Sequence, residues 1–240
     1  MIRNYKVLGV AVAAMLALSA FAAQAASAHP LTVEELGGAT SVWTTGTQEG
    51  KTIFHSSGGN VECTETHELG VGSVKEGVNS EQTITPVYNT ETKEAKPNCV
   101  AFGFAEAHVK VNGCTYTLTT PTKGTGTEPT WETGEKGDVH TLCPTGKSIE
   151  ITPTFFGASV CTESIGAQTP TSGHIVGKNI TDNEKMAVTL SITLAGIHYT
   201  GTGSSCGNSE THTDGTLTGS SKVTCFKNEL RTEQVGCTFS

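Results

Sequence analysis

The side chains best able to do chemistry in this chain are its cysteines: Cys63, Cys99, Cys114, Cys143, Cys161, Cys206, Cys225 and Cys237. Their number is even and none falls in the first sixty residues. In an oxidising compartment such a set forms disulfides. Eight cysteines permit on the order of a hundred pairings. Joining nearest neighbours gives Cys63–Cys99, Cys114–Cys143, Cys161–Cys206 and Cys225–Cys237, with other connectivities left open. Each bridge would stabilise by about 3–4 kcal/mol through the unfolded chain's lost entropy. The last would pin a polar C-terminal tail. Metal chemistry is disfavoured: no C-x-x-C occurs, and the C-x-x-x-H of Cys63 and His67 lacks the second pair that a closed zinc site needs.

Nucleophilic catalysis has one formal candidate. Gly203-Ser204-Ser205-Cys206-Gly207 matches G-x-S-x-G, with His212 and Asp214 downstream. That motif works when a strand-to-helix turn presents the serine. Here a polar turn follows, and His212 and Asp214 share one local stretch, so a triad is not expected. His108 and His198 sit in strand-like runs and read as sheet residues. Phosphate-binding loops and dinucleotide fingerprints are absent, so no cofactor is expected. Glu132, Glu135 and Asp138 lie in a Gly-containing loop that lacks the calcium-loop spacing. Trp131 in the same loop is a candidate platform for a sugar ring. These residues must be positioned by β structure. Only 16% of residues are charged and 6% aromatic, while glycine supplies 28 positions. Helix formers are sparse beyond the first thirty residues, which excludes a helix bundle and a multi-pass membrane protein.

Strand-like alternation recurs in Lys51–His55, Val61–Thr66, Gln82–Tyr88, Ala107–Val111, Thr115–Thr119, Ser148–Thr152 and Ser159–Thr162. It returns in Ala187–Leu194, Ile197–Thr200, Thr216–Thr218 and Lys222–Phe226. Ser57-Gly58-Gly59-Asn60, Asn112-Gly113, Pro144-Thr145-Gly146 and Asp214-Gly215 read as turns, and Asn179–Asn183 as a loop. Short strands with frequent turns predict an all-β fold of antiparallel sandwich or Greek-key modules stapled by disulfides. Val61-Glu62-Cys63-Thr64-Glu65 resembles Ser159-Val160-Cys161-Thr162-Glu163, 98 positions on. This suggests two modules, 50–153 and 154–240, the second carrying the pinned tail. Residues 29–49 lack clear periodicity and read as a loose lead-in.

Residues 1–28 have the layout of a secretory signal peptide, helical in its apolar stretch: Arg3 and Lys6, an apolar run from Val7 to Ala20, then two A-x-A cleavage sites. The site ending at Ala28 is preferred, leaving His29 first. Cleavage would leave 13 cationic against 23 anionic side chains. That balance argues against nucleic acid and against an anionic membrane surface as partners.

The segments Pro97–Phe104, Val111–Tyr116, Cys143–Ile149, Cys161–Gln168, Gly196–Thr200 and Gly215–Gly219 together resemble a family of uncharacterised, cysteine-containing, β-rich secreted proteins of soil actinobacteria. The resemblance spans roughly residues 60–224 and implies a secreted origin and a shared β scaffold, with no activity or site attached. The expected function is a secreted, non-catalytic extracellular binding or structural protein. The alternatives are a glycan- or cell-wall-binding module using Trp131, then a secreted hydrolase. The expected partners are wall glycan or another extracellular protein.

Overall fold

A computed structural model describes residues 31–75, 78–79, 81–88, 99–119, 139–203, 206 and 210–239. The expected signal peptide and the Trp131 loop lie outside the described residues. Among those described, every regular element is a strand. In chain order they are β1 (Leu31–Val33), β2 (Ser41–Gln48), β3 (Thr52–Ser56), β4 (Gly59–Cys63), β5 (Thr66–Ser73), β6 (Val78–Asn79) and β7 (Glu81–Tyr88). Next come β8 (Cys99–Ala101), β9 (Ala105–Lys110), β10 (Thr115–Thr119), β11 (Val139–Leu142), β12 (Ile149–Phe155) and β13 (Ala158–Ser159). The last are β14 (Thr162–Ile165), β15 (Ser172–Asp182), β16 (Lys185–Thr202), β17 (Thr211–Phe226), β18 (Gln234–Val235) and β19 (Cys237–Phe239).

The strands form a closed barrel with additional strands, where the sequence predicts sandwiches. Eight antiparallel strands close the ring, in the order β17-β3-β4-β8-β9-β12-β14-β16 and back to β17. Closure removes the exposed edges that an open sheet would leave. The long strands β16 and β17 also belong to a second sheet, β15-β16-β17-β2-β5-β7-β10-β11. Its far edge returns toward β15 through a bridge between Thr141 and Gln168, which exchange backbone hydrogen bonds of 2.8 and 2.9 Å. A small sheet, β19-β1-β6, stands apart.

One hairpin serves both sheets because it changes neighbours along its length. Thr216–Thr218 of β17 pair with β3, whereas Ser221–Phe226 pair with β2. Likewise Thr200 and Thr202 of β16 pair with β14, whereas Lys185–Ala195 pair with β15. The register shifts between Ala195 and Ile197, where Gly196 takes φ 71°. Such a bulge bends a strand and increases its twist. Asp214-Gly215, expected as a turn, instead lies within β17 opposite this bulge. A Cβ on Gly215 would come 2.8 Å from the Ile197 carbonyl oxygen, so the glycine permits close approach of the backbone.

Other expectations change for local reasons. The lead-in 29–49 contains β1 and β2, the latter hydrogen-bonded between β5 and β17. Its inward residues are Val42, Thr44 and Gly46. Polar and small residues on the buried face hide the alternation. Asn179–Asp182 extend β15 in place of a loop, and the turn is Asn183-Glu184. Both of those residues have positive φ, 49° and 66°, the geometry of a two-residue hairpin. Strand β12 spans Ile149–Phe155, and one hydrogen-bonded sheet includes strands from 29–49, 50–153 and 154–240.

The larger core cluster likewise runs from Val61, Val109 and Ile151 in the barrel to Ile84, Leu118 and Val139 in the second sheet. A smaller cluster gathers Leu31, Val33, Val42, Val188, Val223 and Val235. Disulfides join Cys63–Cys99, Cys114–Cys143, Cys161–Cys206 and Cys225–Cys237. Cys63 and Cys99 are opposite one another on β4 and β8.

Candidate functional site

The inner face of the second sheet lines a cavity that opens to solvent. Alternation along β5 and β7 turns Thr66, Glu68, Ile84, Pro86 and Tyr88 to this side. Leu118 and Tyr116 come from β10; Leu190, Ile192 and Leu194 from β16; Leu217, Gly219 and Ser221 from β17. The lining is mostly apolar, with a few convergent polar groups, the usual character of a small-molecule site.

Among the described residues, Glu68 is the one ionisable carboxyl of that lining. Ser221 Oγ donates to its Oε1 at 3.1 Å. Burial raises its pKa above 4.5, and the single serine donor only partly opposes this. The neighbouring strand makes room for it: a Cβ on Gly46 would sit 2.5 Å from Glu68 Oε2 and 2.9 Å from its Cβ. The phenols of Tyr88 and Tyr116 are hydrogen-bonded to each other. Burial pushes the Tyr116 phenol up to about 12 and Tyr88 well above its ordinary range, the charge of Glu68 adding to both. On the same face, Gln82 has both amide atoms buried with no hydrogen-bond partner among the described residues. A second space in the barrel shares Thr52, Tyr88, Tyr116, Leu194 and Leu217 with the first.

A polar cluster stands apart from this cavity. Glu163 is only 2% exposed and accepts a 2.6 Å hydrogen bond from Ser56 Oγ. Burial raises its pKa, opposed by Ser56 and His212. The Tyr199 hydroxyl accepts from the Ser57 backbone N–H at 2.7 Å and lies 3.0 Å from Asp214 Oδ1 and 2.9 Å from Ser57 Oγ. His212 stacks on the Tyr199 ring, its Nδ1 3.4 Å from Ser57 Oγ. Serine, histidine and aspartate therefore do meet, but with Ser57 as the serine. The arrangement departs from a relay: Asp214 is bonded to Tyr199, and His212 Nε2 is buried with no hydrogen-bond partner among the described residues. Sequence reading missed Ser56, Ser57 and Glu163 because they come from β3, its turn and β14, far apart in the chain.

The other sequence candidates scatter. Trp131, Ser205, Glu132, Glu135 and Asp138 lie outside the described residues. Cys206 is bridged and buried. Cys63 is held by Cys99, while His67 faces solvent. No group of three or more His, Cys, Asp and Glu among the described residues could hold a metal ion. His108 is half-buried on β9; His198 is exposed, its backbone N–H bonded to Gln168 Oε1 at 2.7 Å. Trp43 is half-buried under the Arg231 guanidinium, 5.5 Å from the ring centre. Sequence reading also missed Glu68, Tyr88 and Tyr116 as a group. No signal in the sequence set Glu68 apart, because Thr66-His67-Glu68 is a run of polar residues without alternation. No protein-family model matches the chain, and no curated protein or solved structure is found to be similar to it.

Proposed function

We propose that this chain is a secreted, non-catalytic extracellular binding protein that takes a small, largely apolar molecule into the cavity between its sheets. The supporting observation is the cavity itself, open to solvent and lined by apolar side chains around a few polar groups. The four disulfides are consistent with an oxidising, extracellular setting. Titration with benzyl alcohol, followed by amide NMR shifts, tests the reading. Saturable shifts centred on Ile84, Leu118 and Ser221 are expected; shifts that stay linear or scatter over the surface would defeat it.

A second reading, a surface for wall glycan or an extracellular protein, is favoured by three phenylalanines. Phe104 is 69% exposed and Phe156 94% exposed, with Phe155 in edge contact with both. Exposed aromatic clusters mark contact surfaces. Binding to purified wall polysaccharide should then fall in Phe156→Ala; retention in that variant would count against this reading.

A further inference from the structure

Among the described residues, the lining of the cavity holds one carboxyl and no cation: none of them is Lys, Arg or His. Ser221 is bonded to Glu68 Oε1, while Oε2 lies over the bare backbone of Gly46 with no hydrogen-bond partner among the described residues. A half-buried carboxylate with one neutral donor is only partly compensated, and a proton or a cation at Oε2 would complete it. The rings of Tyr88 and Tyr116 line the same space, and aromatic faces attract cations. The remaining wall, including Leu190, Ile192 and Leu217, is hydrocarbon. A neutral apolar ligand would leave Glu68 uncompensated. A carboxylate ligand would add a second negative charge. A protonated amine would supply the missing counter-charge and hydrogen bonds to Oε2.

We propose that the cavity takes a small hydrophobic amine, its ammonium on Glu68 beside the two tyrosines and its hydrocarbon body against Leu190, Ile192 and Leu217. This inference rests on the interior-binding reading above. Binding involves no covalent step; a Glu68 proton present beforehand passes to solvent as the ammonium enters.

Calorimetric and NMR titration of the full chain with benzylamine, benzyl alcohol and benzoate separates the possibilities. Benzylamine should bind about tenfold tighter than benzyl alcohol, and benzoate weakest. Glu68→Gln, nearly identical in shape, should abolish the preference for the amine over the alcohol. Equal affinity for amine and alcohol, or tightest binding of benzoate, overturns the amine inference and leaves interior binding standing. No saturable binding of any of the three overturns both. If Glu68→Gln does not fold, acidification of the wild type replaces it. Protonating Glu68 should erase the amine's advantage and leave the alcohol unaffected; an advantage unchanged by acid overturns the inference.

Discussion

Glu68 and Gly46 act as a pair. The glycine on β2 leaves the space in which the carboxyl on β5 lies, so neither residue's role is separable from the other's. Gly46→Ala adds a methyl against the Glu68 Cβ as well as its flexible end, and overpacking of this kind costs about 1–3 kcal/mol. Urea unfolding should show a loss of that size, and the NMR signals of Glu68 and Ser221 should move together. Burial also raises the pKa of Glu68 and Glu163 above 4.5 in the fold. For these groups the unfolded chain ionises first as pH rises. Their contribution is therefore full below pH 4.5 and is lost as pH climbs through the raised folded values. The paired variant Glu68→Gln/Glu163→Gln should remove this dependence. Measured against wild type, its relative stability should rise with pH; a difference constant with pH would refute the assignment.

At the scale of elements, the hairpin β16–β17 links the closed barrel to the second sheet. Leu194 lies on it, is 2% exposed, and lines both interior spaces. Leu194→Ala should cost about 2–5 kcal/mol, because the lining on two sides cannot collapse onto the void. Denaturant unfolding followed from both sheets should register that loss in a single transition. Separate transitions would mean that the two sheets unfold independently. Much of this level was legible beforehand. Gln82–Tyr88 and Thr115–Thr119 alternate apolar and polar residues, and the structure places strands there. Strand β2 was illegible because Thr44 and Gly46 occupy its buried face, where they accommodate the neighbouring strand's side chains. Asp214-Gly215 reads as a turn in the sequence because Asp-Gly is a turn signal; within β17 the glycine instead permits close approach to β16.

At the scale of the molecule, the disulfides divide their work. Cys63–Cys99 ties neighbouring barrel strands, whereas Cys225–Cys237 holds the C-terminal segment against the smaller core. Protein recovered from culture medium should begin at His29. Its denatured, unreduced mass should fall short of the fully reduced chain by eight hydrogens, two for each of the four bridges, with no site left for a thiol alkylator. A retained N-terminus or an alkylated cysteine would contradict the proposed export or the pairing. Composition, turn residues and the even cysteine count were enough to determine an all-β, disulfide-bearing chain, because those signals are local or additive. The closed ring, the shared hairpin and the meeting of Glu68, Tyr88, Tyr116 and Ser221 were decided only by tertiary structure. Each depends on which strands lie side by side, and that choice is made by bulges, small inward residues and long-range pairing that leave no periodic trace along the chain.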